Sequence, residues 1–347
     1  MKTFALATAM VLMGMYGLPA AETNPKSNNM VWGLMLQLGH NMWGEEPLVG
    51  SPATEEEKDK YARDFNRTDE GLWREVTGYA AKKGVNLLLI DLGEGMVYPS
   101  HPELAVKGSW SPEKMKAELA RLRALGLEPI PKLNFSCCHH TWLKEYRRMV
   151  STPTYYRVCS DIISEVCDVF GSPEYIHLGL DEENAANQKF REVIHIRQGD
   201  LWWNDAYFYF NEAEKHGARP WIWSDLCWDK PDEFVTKMPK SVLQSNWFYR
   251  FFMNYPKDTQ NYNAIYTYEL LDKHGFEQVP TASCWDSAGP RNVMQTVAHG
   301  KEKLNPELLR GFMTAPWYFT NPEYEYILKH DAHTLYCARQ QYYPETL

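Results

Sequence analysis

The chain has 347 residues with 36 basic against 45 acidic side chains, a formal net charge of −9; this argues against nucleic acid as a partner, since a phosphate backbone is held through clustered Lys and Arg. Beyond the first twenty-odd residues no apolar stretch is long enough to span a bilayer, and no repeat, low-complexity tract or Pro/Ser-rich linker divides the rest of the chain, so one large domain is expected.

Taken in chain order, residues 1–21 read as a secretory signal peptide, with Lys2, an apolar run from Phe4 to Leu18 and the small pair Ala20-Ala21. The remainder, residues 22–347, is expected to be a single catalytic domain. Strands are expected over Val31 to Leu38, Asn86 to Leu92, Glu128 to Asn134, Tyr175 to Leu180, Pro220 to Ser224, Val242 to Trp247, Gln278 to Ser283 and Leu309 to Ala315. Amphipathic stretches lie between them. Ser111-Pro112-Glu113 starts one helix that Gly126 ends, another runs from about Thr154 to Gly171, and a third runs from Asp205 to His216 with Gly217 behind it. Eight apolar runs alternating with helices predict an α/β fold, a single-domain (β/α)8 TIM barrel closed on a parallel sheet. Trp43 to Asp69 is then a long loop over the face where the strands end, and Asn184 to Trp203 a second. Seven cysteines, an odd count with Cys137 and Cys138 adjacent, do not form a disulfide framework. The sequon Asn66-Arg67-Thr68 matters only in a eukaryotic secretory route.

In a parallel barrel the groups that meet substrate sit at the carboxyl ends of the strands. The fourth run ends Leu178-Gly179-Leu180-Asp181-Glu182-Glu183, and two carboxylates there are costly unless solvated or used. Glycoside cleavage needs a proton donor for the leaving oxygen and a group that stabilises positive charge at the anomeric carbon. Close like charges and partial burial are expected to raise one pKa of the pair. The acids could instead cap the following helix, as acids do at helix N-termini.

His177-Leu178-Gly179-Leu180-Asp181-Glu182 resembles the His-x-Gly-Gly-Asp-Glu signature of the glycoside hydrolase family 20 β-N-acetylhexosaminidases, with Leu180 in place of the second glycine. The first strand from Gly33 to Gln37, the second from Asn86 to Leu92 with Tyr98 to Leu104 behind it, and the third from Gly126 to Asn134 resemble the family's corresponding strands. The third leads into Ser136-Cys137-Cys138-His139 where the family has a Pro-Gly-His turn. The resemblance implies a substrate-assisted, retaining hydrolysis: the 2-acetamido oxygen of the sugar attacks the anomeric carbon, Asp181 orients that group, and Glu182 protonates the leaving oxygen and later activates water. It implies no metal and no organic cofactor. His177 is by position either a residue steadying the pair or a satisfied core histidine. Several positions depart from the family. Its substrate-holding arginine falls at His40 and the neighbouring histidine at Asn41, the acid of the third strand is Lys132, and Trp317-Tyr318-Phe319-Thr320 lacks the carboxylate of a Trp-x-Glu ending.

The remaining strand ends supply candidate substrate-binding residues: His40, Glu94, His139, Trp223, Asp225, Trp247, Tyr249, Trp285, Asp286 and Trp317. The chain carries 13 Trp and 21 Tyr; aromatic rings stack on the C–H faces of sugars, although core packing accounts for many of them. Under the resemblance Trp247, Trp317 and Tyr249 hold the acetamido group, while Glu94 and Asp225 are spare carboxylates for an ordinary nucleophile. The partner expected is a glycan or glycoconjugate. Three readings stay open: hydrolysis of β-linked 2-acetamido sugars, hydrolysis of another sugar through a protein nucleophile, and carbohydrate binding without turnover. A metal-dependent hydrolase is disfavoured because adjacent His139 and His140 do not easily converge on one ion.

Overall fold

The computed structural model describes residues 30–44, 60–189, 191–257, 259–285 and 287–347; the leader expected at 1–21 lies outside them. Eight strand–helix units follow one another: β1 (Val31–Gln37) and α1 (Glu70–Lys82), β2 (Leu87–Asp91) and α2 (Pro112–Ala124), β3 (Glu128–Lys132) and α3 (Pro153–Phe170), β4 (Tyr175–His177) and α4 (Asp200–Lys215), β5 (Arg219–Trp223) and α5 (Pro231–Lys237), β6 (Leu243–Ser245) and α6 (Gln260–Lys273), β7 (Thr281–Ala282) and α7 (Pro290–Lys303), β8 (Gly311–Thr314) and α8 (Glu325–Tyr342). The strands pair in parallel in the order β6-β5-β4-β3-β2-β1-β8-β7. Between β6 and β7 the ring closes through single bridges, Gln244 with Gln278 and Trp247 with Thr281. The expected (β/α)8 barrel is the fold of this protein.

The strands read as continuous apolar runs because both faces are covered. Alternate residues separate into two cores. Leu34, Leu36, Leu88 and Ile90 pack outward against the helices, while Met35, Leu87, Leu89, Ile130, Tyr175, Trp221, Trp223 and Met313 fill the barrel. The helices begin where side chains satisfy their first amides: Asp69, Ser111, Thr152 and Thr259 accept from the N–H of Leu72, Lys114, Tyr155 and Tyr262, each contact worth about 1 kcal/mol.

Three strands keep half or less of the length the sequence suggests. β4 stops at His177 because Gly179 and Leu180 turn to positive φ. β7 keeps only Thr281 and Ala282, since Pro280 has no N–H to give a ladder. β6 keeps only Leu243 to Ser245. The helix expected from Asp205 begins a turn earlier, at Asp200. All seven cysteines are free.

The register places Gln37 beside Asp91, Asp91 beside Lys132 and Lys132 beside His177. These four form a polar layer at the carboxyl end of the barrel, directly beneath the strand-end loops. Lys132 and Asp91 make an ion pair with side chains 0% and 3% exposed. Removing one partner of such a pair strands the other charge, at a cost of about 3–5 kcal/mol. Lys132→Met is therefore expected to lower the urea midpoint steeply, and Lys132→Met with Asp91→Leu to recover most of the loss; equal midpoints for the single variant and the wild type would exclude this role.

On the far side, Asp331 of α8 accepts the N–H of Cys284 at 2.8 Å, tying the end of β7 to the outer helix. Burial pushes this carboxyl from 3.8 up to about 7. Between those values the unfolded chain has released a proton that the folded one keeps, so this group's contribution falls as pH rises from about 4 to about 7 and is level on either side. A thermal denaturation series in pH is expected to show that slope in the difference between wild type and Asp331→Asn, with the asparagine variant gaining on the wild type toward pH 7.

Candidate active site

The turn after β4 is built from unusual backbone. Gly179, Leu180 and Glu182 take φ of 71°, 70° and 58°, a region that costs non-glycine residues about 1–2 kcal/mol. Glycine is required at 179 for a second reason: a β-carbon there would overlap the side chain of Asn134. His177 lies below, fully buried, with Nδ1 accepting the N–H of Gly179 at 3.1 Å and its ring 4.4 Å from that of Trp223. It thus steadies the turn from underneath and does not touch the pair itself.

Asn134, just past β3, donates from Nδ2 to Oδ1 of Asp181 at 2.9 Å and accepts the N–H of Ser136 at 3.0 Å. Ser136 in turn donates its hydroxyl to the main-chain oxygen of Asp181. Asp225, after β5, accepts the N–H of Glu182 at 2.8 Å. His139 brings Nε2 to 3.4 Å from Asp181 Oδ2 and 3.2 Å from Glu182 Oε2. Behind them Glu183 pairs with Arg197 at 2.6 Å and accepts the Cys137 N–H, while Arg197 also holds Asp205 and the Phe135 carbonyl. The short helix after the turn, Ala185–Gln188, is capped by Asn184, so the three acids are not its cap.

Burial works to raise the Glu182 carboxyl, but the hydrogen bond and charge of His139, with Arg191, outweigh it and leave the group below its usual range. The raised pKa expected within the pair falls instead on Asp225: burial, then the charge of Asp181, hold it well above the carboxylate range. Its Oδ1 is shut from solvent without a hydrogen-bond partner among the described residues.

Asp181 and Glu182 open into a cavity of about 170 Å³ lined by Trp43, Lys60, His139, Trp247, Tyr249, Trp285 and Trp317. Trp247 stacks on Tyr249 at 4.9 Å, and Trp317 lies 5.8 Å from Trp43 and 6.5 Å from Tyr249. Trp43 Nε1 is buried with no hydrogen bond among the described residues, and the buried Tyr249 Oη and Trp317 Nε1 have only each other for a partner there. Buried polar groups are rarely left so, and three of them on one cavity suit a ligand with several polar groups of its own.

Of the residues singled out from sequence, His139, Trp247, Tyr249, Trp285 and Trp317 line this cavity with Asp181 and Glu182, and four others do not. Glu94 is buried with its carboxylate accepting the N–H groups of His40 and Asn41 at 2.7 and 3.0 Å, which secures the loop after β1. His40 is buried against Phe319, accepts the Thr320 N–H at 3.4 Å, and burial drives its pKa well down. Trp223 sits under Trp317, 1% exposed, and Asp225 supports the β4 turn. Asp286 lies outside the described residues. Sequence reasoning passed over Trp43, Lys60, Asn134 and Ser136; Asn134 alone carried a signal, as a polar residue ending an apolar run.

Among the described residues the one set of groups that could converge on a cation is His139, Asp181 and Glu182, whose ligand atoms lie within 4.8 Å of one another. His140 is not part of it, its ring lying 6.5 Å from that of His195.

No family model and no curated protein matches this sequence. Solved structures do. An exo β-N-acetylglucosaminidase of glycoside hydrolase family 20 from Vibrio harveyi matches at TM-score 0.59 with 12% identity over 92% of this chain and 58% of its own; the present chain thus spans little more than half of that enzyme. A β-N-acetylhexosaminidase from Bacteroides fragilis matches at 0.59 and 14%, over 91% of this chain and 71% of its own. Dispersin B matches at 0.55 and 14%, over 90% of this chain and 99% of its own. At such identities the likeness is one of fold: this chain has the barrel found in family 20.

Gly179→Ala combines the positive φ with the overlap on Asn134, and is expected to cost about 1–3 kcal/mol and to dislodge Asp181. Chemical denaturation checks the first effect, and a crystal structure showing Asn134 still bonded to Asp181 would count against the second.

Proposed function

We propose that this protein is an exported glycoside hydrolase that cleaves β-linked 2-acetamido sugars by a substrate-assisted, retaining mechanism. One observation carries the reading: Asp181 and Glu182 face an aromatic cavity whose Trp43, Tyr249 and Trp317 polar atoms find no partner beyond that wall, and whose described lining residues include no further carboxylate. Glu94 and Asp225, the candidates for a protein nucleophile, are taken up by backbone amides outside that lining. A nucleophile supplied by the sugar itself accords with that arrangement.

In this mechanism Asn134 fixes Asp181 so that its other oxygen, Oδ2, meets the acetamido N–H and aligns the carbonyl oxygen with the anomeric carbon. The tryptophans enclose the ring and exclude water. Glu182 gives its proton to the leaving oxygen and takes one from water in the second half. His139, touching both carboxylates, keeps Glu182 ionised while the cavity is empty. A sugar that fills the cavity removes the exposed third of the Glu182 side chain from solvent and raises its pKa, since desolvation disfavours the charged form.

Release of 4-nitrophenol from the β-N-acetylglucosaminide and β-N-acetylgalactosaminide, beside the plain glucoside and galactoside, tests the reading. Glu182→Gln is expected to lower kcat by about two to four orders of magnitude, the usual contribution of an acid–base group, and Asp181→Asn to slow acetamido substrates strongly. Full activity in either variant would overturn the assignment. The alkaline limb of kcat, which reports the complex, is expected at higher pH than that of kcat/KM, which reports the free enzyme.

A further inference from the structure

The cavity contains a cation that the chemistry above does not use. Lys60 lies on the segment returning toward α1, and its ammonium stands 5.7 Å from the ring centroids of both Trp43 and Trp285. The segment is fastened to the barrel rim. Ala62 donates its N–H to the Gly44 carbonyl at 2.8 Å, and the Asn41 side chain accepts from the Arg63 N–H at 2.9 Å while donating to the Arg63 carbonyl at 2.7 Å. A lysine is normally free to follow solvent, but here the backbone next to it is held and its ammonium is flanked by two indoles.

Among the described residues no carboxylate lies within ion-pair distance of this ammonium, so its three N–H donors face the cavity without an anionic partner. The carboxylates of the site are engaged elsewhere: Asp181 with Asn134 and His139, Glu182 with His139. Indole faces favour a cation but present it no hydrogen-bond acceptor. The remaining lining residues are aromatic, which lowers the local dielectric and strengthens a charge pair formed there.

We infer that Lys60 is a specificity-determining residue and that the sugar taken into this cavity carries an anionic substituent, a sulfate ester or a carboxylate, which the ammonium receives at the mouth between Trp43 and Trp285. The inference rests on the cavity being an amino-sugar site. It adds the sign of charge on the substrate, which neither Asp181 nor Glu182 decides. An oxyanion there completes the donors of Lys60 while its sugar ring meets the tryptophans.

Binding can be read independently of turnover. Dissociation constants are measured by titration calorimetry on the full chain for N-acetylglucosamine, its 6-O-sulfate and N-acetylmuramic acid, whose carboxylate hangs from O3. A hydrogen bond to a charged group corresponds to roughly ten- to hundredfold in affinity. At least one anionic sugar is therefore expected to bind about tenfold or more tightly than the neutral one, and which of the two does so identifies the substituent. The preference is expected to fall toward unity in Lys60→Met, to persist in Lys60→Arg and to shrink as salt is raised. Neutral sugar bound as tightly as both anionic ones, or a preference unchanged in Lys60→Met, overturns the inference. Glu182-dependent turnover of neutral glycosides alongside either result would leave the hydrolase reading standing and the inference alone refuted, and absence of binding by all three sugars would remove both.

Discussion

The hydrogen bond from Asn134 to Asp181 is the contact on which the site depends. It joins the ends of β3 and β4 across a turn in which three of four consecutive residues have positive φ. Left to itself such a turn would relax, because Leu180 and Glu182 are strained there. It holds because its surroundings over-determine it: Asn134 fills the space a side chain at 179 would need, Ser136 grips the Asp181 carbonyl, Asp225 grips the Glu182 amide, and His177 supports Gly179 from below. The strain carries a geometric return, since it sends two neighbouring carboxylates into the same cavity where an extended strand would have sent them to opposite faces.

Charge is graded through the same region. Beneath the turn the pair Lys132–Asp91 brings a net neutral unit into the barrel mouth. Beside it burial and the negative charge of Asp181 both oppose ionisation of Asp225 and hold its pKa well above the carboxylate range. Above, His139 stands between Asp181 and Glu182 and keeps Glu182 low. Asp181, Glu182 and Asp225 are thereby kept from repelling one another: ionisation is opposed at Asp225, and the other two share a histidine.

Much of this was legible in the sequence, for reasons particular to each residue. Doubly covered strands leave apolar runs, so all eight barrel strands were visible, and Asp181-Glu182 stood out because charge at the end of such a run demands a use. What misled was the assumption that any polar residue after a strand faces substrate. Glu94 and His40 meet backbone, as buried loops require partners for their amides. The substitution at Leu180 read as a departure from a glycine-containing signature, and the structure shows why glycine suits that position, its φ being 70°. Trp43, Lys60 and Asn134 were not assigned because their roles arise from contacts between segments far apart in the chain, which periodicity does not reveal.

The barrel does not close evenly. Most neighbouring strands share a ladder of several pairs, whereas β3 and β4 share the single pair Lys132 and His177, and β6 and β7 meet at isolated bridges backed by the Ser245 hydroxyl on the Val279 carbonyl at 2.7 Å. Trp247 and Tyr249 follow β6 directly, and Trp285 follows β7. Trp247 with Tyr249 and Trp285 thus stand on the two sides of the β6–β7 seam, while Trp43 and Trp317 follow β1 and β8, and Asp181 and Glu182 follow β4, two strands from β6. The rings of Tyr249 and Trp285 face each other across the seam at 6.5 Å, so the width of the cavity on that side is set by ring against ring, as a clasp is set by its two jaws and not by the band it closes.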